Sequence, residues 1–294
     1  MELTAMRYFA AVARELHFRR AAARLHITEA PLSAAIRKLE EEVGARLFER
    51  TSRSVRLTAA GAVFLPEAEA VLRRAEAARH RLAAFVAGQC ERLALGYNET
   101  ALNSFLPQVL AQSRRQTPQI RLELRELETA EQLQLLRDGV LDLGIMRPFG
   151  FALDGLASRL VHRESYRLVM PPSHPLARAA RLDARALSGQ EIILFARDVN
   201  PAIFDRLAHD LAPDGAPPPH FRQDARNKLS MLAMVKAGFG AALLPESCCT
   251  ALDGLVARTL DLPLPDVDLH AVWNQERLTP PLARFLPLLP QEPK

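Results

Sequence analysis

The residues with most to say about chemistry are the arginines near the N-terminus. Residues 1–58 hold eleven Lys/Arg and seven Asp/Glu, whereas the remaining 236 residues hold 27 of each sign. The whole formal excess of +4 therefore lies in the first fifth of the chain. Localised positive charge suits a polyanion, because much of the affinity for DNA comes from releasing counterions held by phosphates. Arg50, Arg53 and Arg56 gather around a polar tip, and Ser33, Arg37 and Lys38 fall on one side of a helical pattern. A guanidinium fork fits the acceptor edge of guanine, and Ser and Lys suit phosphate oxygens. A merely solvated charged face would give the same count, so spacing must decide.

Catalytic chemistry finds little support. There is no G-x-S-x-G, no G-x-x-x-x-G-K-[ST] and no H-E-x-x-H, and the eight histidines are scattered singly. The three cysteines, Cys90, Cys248 and Cys249, form no C-x-x-C and no zinc-finger spacing with histidine. Adjacent Cys248 and Cys249 read as small core residues, with a redox switch as the other reading. No metal, no cofactor and no enzyme activity is expected.

The elements that must position these residues can be read from periodicity. Leu3, Met6, Phe9, Ala10 and Ala13 follow helical spacing, a short alanine-rich helix runs from Arg19 to about His26, and a third runs from Ala30 to near Gly44. Thr28 is placed to cap that third helix, with Pro31 in its first turn. Leu32, Ile36 and Leu39 form its buried face, turning Ser33, Ala34, Arg37 and Lys38 outward. Residues 47–57 read as a two-stranded wing. Two short helices, a tight turn and a wing make a winged helix-turn-helix; a three-helix bundle with no DNA role has the same spacing.

From Ala59 to Gly88 the pattern is one long helix, capped by Thr58. Leu65, Ala68, Leu72, Ala75, Leu82 and Val86 repeat at coiled-coil-like spacing, and Arg79 breaks the seam. Leu65, Leu72, Leu82 and Val86 are candidate dimerisation residues, or the face an amphipathic helix packs on its own domain. Pro66 predicts a kink. Beyond Gln89, strands and helices alternate. The pattern gives strands at 92–97, 120–126 and 141–146 with helices at 101–116 and 129–139. It then gives strands at 166–170, 191–195, near Phe221, at 241–244 and 269–273, with helices at 201–211, 227–237 and 280–289. Pro213–Pro219 reads as a surface loop. No apolar run long enough for a membrane span (~18 residues) or of signal-peptide type appears, so a cytoplasmic protein is expected.

Residues 1–61 closely resemble the opening of LysR-type regulators. The matching runs are Phe9-x-Ala-Val-Ala, Leu16-His17-Phe18-x-x-Ala-Ala-x-x-Leu25-His26-Ile27, Pro31-Leu32-Ser33-x-x-Ile36-Arg37-x-Leu39-Glu40, Gly44-x-x-Leu47-Phe48-Glu49-Arg50 and Leu57-Thr58-Ala-Ala-Gly61. The resemblance implies a transcriptional regulator that binds double-stranded promoter DNA, forms a homodimer or homotetramer and works with RNA polymerase. Ser33, Arg37 and Arg53 are its foremost expected DNA contacts, with Thr28, Lys38, Arg50 and Arg56 beside them. Glu29, Ala30 and Ala34 depart from the family, where Gln, Pro and Arg are common.

The expected fold class is thus a multidomain α+β and α/β chain. Residues 1–58 would be the winged helix-turn-helix and 59–88 the linker helix. Residues 89–294 would be a two-lobed α/β effector domain resembling periplasmic binding proteins, with lobe I at about 91–161 and 267–290 and lobe II at about 162–266. Ligands of such sheets sit at strand C-terminal ends, so Asn98-Glu99-Thr100, Thr129 and Asn200-Pro201-Ala202-Ile203-Phe204 should meet in the cleft. Gly96-x-x-x-Thr100, Thr129, Arg147 and the Pro201/Phe204 pair resemble the branch of the family that senses aromatic-pathway carboxylates. There the two threonines hold a carboxylate and the Pro–Phe segment touches the organic body. Thr100 and Thr129 as plain helix caps, and Arg147 as a structural ion-pair partner, is the competing reading. Glu99 would oppose an anion unless it turns to solvent or pairs with an arginine such as Arg147. A regulator controlled by a partner or by oxidation is the rival to an effector-controlled one.

Overall fold

A computed structural model describes the chain except at residues 51–53, 87–90, 213–214, 216, 251 and 292–294. The described residues divide into two compact units, Met1–Gln89 with Asp138–Val140, and Cys90–Arg137 with Leu141–Lys294.

The first unit is built on four phenylalanines. Helices α1 (Leu3–Glu15), α2 (Phe18–Arg24) and α3 (Glu29–Val43) precede an antiparallel ribbon, β1 (Phe48–Arg50) with β2 (Val55–Leu57), and the long α4 (Ala59–Val86). Phe9 is fully buried, and its ring centroid lies 5.3 Å from Phe48 and 5.2 Å from Phe64; Phe18 meets Phe48 at 6.0 Å. Leu32, Ile36 and Leu39 turn into this core, as their spacing predicts. Thr28 occupies the extended N-cap position of α3 yet makes no side-chain capping bond. The reason is Pro31: it stands at the third helical position and has no N–H for the hydroxyl to accept. Thr58 does cap α4, accepting from the N–H of Gly61 at 2.9 Å.

Helix α4 runs through Pro66 without interruption. Ala68 is fully buried, and Leu65 and Leu72 pack against the same core as Phe9 and Phe48. Leu65 and Leu72, candidate dimerisation residues, thus lie against their own domain and stay half-buried. A 3.6-residue period gathers residues 65, 68 and 72 on one side, while Val63 (72% exposed), Val71 and Leu82 (64% exposed) lie off that side as exposed apolar groups. The side chain of Val86 lies outside the described residues.

The second unit has two lobes. Lobe I contains β3 (Arg92–Tyr97), α5 (Glu99–Asn103), α6 (Leu106–Gln116), β4 (Arg121–Glu126), α7 (Thr129–Arg137), β5 (Leu143–Met146) and β6 (Ala157–Glu164). Lobe II contains β7 (Tyr166–Met170), α8 (Ala184–Leu187), β8 (Glu191–Phe195), α9 (Pro201–Asp210), β9 (His220–Ala225), α10 (Lys228–Lys236), β10 (Ala241–Pro245) and β11 (Val256–Thr259). The chain then returns to lobe I with β12 (Val267–Trp273) and α11 (Pro280–Phe285). The sheet orders are β4-β3-β5-β12-β6 and β11-β7-β10-β8-β9. Strands β3, β4 and β5 pair in parallel, as do β8 with β9 and β10, whereas β12, β6, β7 and β11 add antiparallel partners. The chain crosses between lobes twice, at Ser165 and between β11 and β12.

Two departures from the sequence pattern have physical causes. The single helix expected at 101–116 is two, because Pro107 cannot donate the backbone bond that would join them, and it enters the first turn of α6 instead. Strands β6 and β11 are additional: both are half-exposed edge segments, Ala157–Glu164 and the four-residue Val256–Thr259, without the apolar run of a buried strand. Part of the loop expected at 213–219 lies outside the described residues.

Within lobe I, Gly96 and Gly144 lie opposite each other on β3 and β5. They leave room for the fully buried amide of Gln132, which donates to the carbonyls of Leu127 (2.9 Å) and Ile145 (3.3 Å) and so ties two strand ends together. A Cβ at Gly144 would come within 2.8 Å of the Gln132 side-chain oxygen and 2.5 Å of Met146 Cε. Gly144→Ala is therefore expected to destabilise the chain by about 1–3 kcal/mol through overpacking. Urea denaturation would show this as an earlier midpoint; an unchanged midpoint would contradict the packing described.

Candidate DNA interface and ligand cleft

The outward face of α3 carries Ala30, Ala34, Arg37, Lys38 and Glu41, all exposed, opposite the buried Leu32, Ile36 and Leu39. Ser33 is half-buried, and its carbonyl accepts from Arg37 Nε at 3.4 Å. Lys38 Nζ lies 3.4 Å from Glu2 Oε1, with both side chains exposed, a pairing weak enough to exchange for phosphate. Arg56 is exposed on β2, Thr28 is exposed at the start of α3, and Arg53 lies outside the described residues.

Arg50 is not a free groove residue. Its guanidinium is 2.8 Å from Glu40 Oε2 and stacks 4.7 Å from the ring centroid of Phe18. The other oxygen of Glu40 accepts from the backbone N–H groups of Leu47 (2.8 Å) and Phe48 (3.1 Å). One half-buried carboxylate thus fastens the wing to α3, and Arg50 neutralises it. Proximity in sequence to other arginines suggested DNA contact for Arg50, but the nearby carboxylate and aromatic ring hold it.

In the second unit a cavity of about 310 Å³ opens between the lobes, at the C-terminal ends of the parallel strands. It is lined by residues following β3, β4, β5, β8 and β9. Asn98, Glu99, Thr100, Thr129, Arg147 and Ile203 all reach it, as the pattern predicts. Asn98 Oδ1 caps α5 by accepting from the N–H of Ala101 at 3.0 Å. That leaves Thr100, in the first turn, 5% exposed and without a hydrogen bond from its hydroxyl among the described residues. Thr129 is the first helical residue of α7, and its hydroxyl donates to the carbonyl of Arg147 at 3.3 Å, so neither threonine is a helix cap.

Arg147 proves to be a tie. Its guanidinium donates to the Tyr166 hydroxyl and, at 2.7 Å, to the carbonyl of Asp266, joining lobe I to both crossing segments. Its charge also sits 5.4 Å from the Tyr166 ring centroid. Tyr166 is buried, and burial pushes its phenol above the ordinary tyrosine value. Glu99 is answered by Lys228, not by an arginine: the backbone N–H (3.2 Å) and ammonium (3.4 Å) of Lys228 both donate to Glu99 Oε2 across the cleft. Asn200 adds a further link, accepting from the N–H of Ile203 at 3.2 Å and donating to the carbonyl of Phe149 at 3.1 Å.

Two expected site residues fall elsewhere. Phe204 turns into the lobe II core, its ring centroid 6.1 Å from Phe195 and 6.3 Å from Phe221, and Pro201 is exposed outside the cavity lining. On α9 the residue three positions past Asn200 faces the cavity, and the next one faces away. Arg226, Asn227 and Lys228 were missed as lining residues. The strand-end rule that selected Asn98 and Thr129 applies equally to the β9–α10 junction and would have found them. Among the described residues no group of His, Cys, Asp and Glu could hold a metal ion, and no helix is long and apolar enough to cross a membrane.

A winged helix-turn-helix and a two-lobed cleft domain in one chain define a DNA-binding regulator with a small-molecule-binding module. Residues 3–62 match the family described as "Bacterial regulatory helix-turn-helix protein, lysR family", and residues 87–293 match "LysR substrate binding domain". The chain belongs to the LysR family of transcriptional regulators, a family of DNA-binding proteins and not of enzymes. It is 34% identical over 248 residues to the uncharacterised regulator YnfL of Escherichia coli K12, covering 84% of this chain and 83% of that one. It is 32% identical over 294 residues to the regulator XapR of the same strain, covering 99% and 98%. The crystal structure of CbnR, a LysR family transcriptional regulator, superposes with a TM-score of 0.76 at 25% identity, covering 98% of each chain. Full-length CbnR complexed with its target DNA gives 0.75 at 26% identity, covering 98% of this chain and 99% of that one.

Glu40→Ala is expected to cost about 1–3 kcal/mol, because two backbone N–H groups and Arg50 lose their acceptor together. Urea denaturation should therefore show earlier unfolding of the N-terminal unit. Stability equal to wild type would mean that the wing is fastened by other contacts.

Proposed function

We propose that this chain is a sequence-specific promoter-binding regulator whose activity follows a small carboxylate or aromatic effector bound between the lobes. The observation that carries this reading is the 310 Å³ cavity, with the unpartnered hydroxyl of buried Thr100 beside the start of α7. Helix N-termini with free N–H groups attract anions, and a buried hydroxyl without a partner gains a hydrogen bond when one arrives.

On this reading residues 1–58 bind DNA, 59–88 join two protomers and 89–294 sense the effector. Ser33, Arg37, Lys38 and Arg56, with Arg53 and Thr28, contact groove or phosphate, while Arg50 supports the wing. The exposed apolar residues of α4, Val63, Val71 and Leu82, support pairing of two protomers, which a two-fold DNA site requires. Family resemblance implies a homotetramer that bends promoter DNA in the cytoplasm and meets RNA polymerase there. Effector binding shifts the population towards a closed cleft, with a coupling of about 1–3 kcal/mol.

Redox control fits the thiols poorly. Burial raises the Cys248 thiol, and burial followed by the neighbouring Cys248 raises that of Cys249 to about 11, so both stay protonated and unreactive at neutral pH.

Two experiments test the proposal. Duplexes selected from a random pool by the full chain should bind Arg37→Ala about tenfold more weakly or worse, measured by fluorescence anisotropy at fixed salt. Equal affinity would remove Arg37 from the interface. A thermal-shift screen against small aromatic and aliphatic carboxylates should give hits that Thr100→Ala abolishes. Hits indifferent to that substitution would move the effector out of the cleft.

A further inference from the structure

Helix α3 divides into two halves by residue type. Its second half carries Arg37, Lys38, Glu40, Glu41 and Glu42, whereas its first two turns, residues 29–36, hold a single charged side chain, Glu29. In those two turns Leu32 and Ile36 are buried, Ser33 and Ala35 are half-buried, and Glu29, Ala30, Pro31 and Ala34 are exposed. At 3.6 residues per turn Ala30 and Ala34 lie within about 40° of each other, on the side opposite Leu32 and Ile36, and about 6 Å apart along the axis. Arg37 continues the same side one turn further on. The outward face of the first two turns therefore ends in methyl groups, which neither donate nor accept a hydrogen bond. Glu40, Glu41 and Glu42 load the other end of α3 with charge that phosphates repel. The first two turns, at the positive end of the helix dipole, are thus the part of α3 that suits a groove between two phosphate backbones.

We propose that α3 recognises thymine by its methyl group, with Ala30 and Ala34 packed against the C5-methyl groups of thymines about two base-pair steps apart. The inference rests on the reading of α3 as the helix that enters the major groove. Of the base edges exposed there, thymine alone presents an apolar group, and alanine is a side chain that packs against it. A guanine or cytosine edge held against Ala30 or Ala34 would give up hydrogen bonds to water and receive none from the protein. Small size serves the same end, since a side chain that stops at Cβ lets the backbone of α3 come close to the bases. Glu29, at the tip of the helix, brings a carboxylate that only accepts, so it suits a base amino group and not a phosphate.

The test uses duplexes selected from a random pool by the full chain, with binding followed by fluorescence anisotropy at fixed salt. Thymines of a half-site are replaced one at a time by deoxyuridine, which removes the C5 methyl and keeps every hydrogen-bonding group. At two positions this should weaken binding by about fourfold, the value of one buried methyl, and elsewhere it should have no effect. At either of those two positions a 5-methylcytosine·guanine pair should bind better than cytosine·guanine. Ala34→Gly, which removes only the protein methyl, should abolish the deoxyuridine effect at one of the two. Ala34→Gln, at the same exposed position, should select adenine there, because glutamine pairs with its N6/N7 edge. Deoxyuridine tolerated at every position, while Arg37→Ala still weakens binding, would overturn methyl recognition and leave α3 in the groove. A deoxyuridine effect that survives in Ala34→Gly at both positions would overturn it too, because another group would then contact the methyls. Binding indifferent to deoxyuridine and to Arg37→Ala alike would overturn the placement of α3 as well.

Discussion

The second unit depends on a carboxylate that reaches across an open cleft. Glu99 stands in the first turn of α5 in lobe I, and its acceptor is filled from Lys228, the first residue of α10 in lobe II. Charge-assisted hydrogen bonds of this kind contribute about 1.5–3 kcal/mol when well enclosed, and less here because both side chains are partly exposed. The consequence is geometric. Two helix N-termini, each projecting from the C-terminal end of a parallel strand, are held facing one another with the cavity between them. Arg147 and Asn200 make further ties across the lobes, so the cleft has a defined width before any ligand enters. Because Glu99 is occupied, the Thr100 hydroxyl beside it stays available.

The first unit solves a different problem with the same kind of device. A wing of two three-residue strands cannot hold its own angle, since its ladder is too short. Glu40 on α3 accepts from two backbone N–H groups at the base of the wing, and Arg50 neutralises the charge that this leaves in a half-buried place. Phe18 below and the Phe9–Phe48–Phe64 cluster complete the support. The outward face of α3 is left lightly covered at Ala30 and Ala34, with Arg37 as its longest group.

Sequence pattern made the N-terminal elements legible because helical period, wing arginines and core positions all agree there. In the second unit the strand ends and their helix starts were readable, and with them Asn98, Thr100, Thr129 and Ile203. What escaped were facts of orientation. Phe204 and Ile203 are neighbours, yet one fills a core and the other a cavity, and which does which depends on how α9 docks. Leu65 and Leu72 have the spacing of a dimer seam, but the same spacing serves a helix packed on its own domain. Arg147 is a cation at a strand end, where an anion site is expected, and only the positions of Tyr166 and Asp266 reveal that it ties segments together. Edge strands β6 and β11 escaped because polar and charged residues break the apolar signal of β6, and β11 is only four residues long.

On the proposed function, ligand binding between the lobes is coupled to the module that binds DNA. The direct test is a footprint and bend-angle measurement on one selected duplex, with the full chain, without ligand and at saturating concentration of a cleft ligand. Coupling predicts a change in the length of the protected region or in the bend, lost in Thr100→Ala. Identical footprints and bends at full occupancy of the cleft would contradict it, and would leave a DNA-binding protein whose ligand does not instruct it.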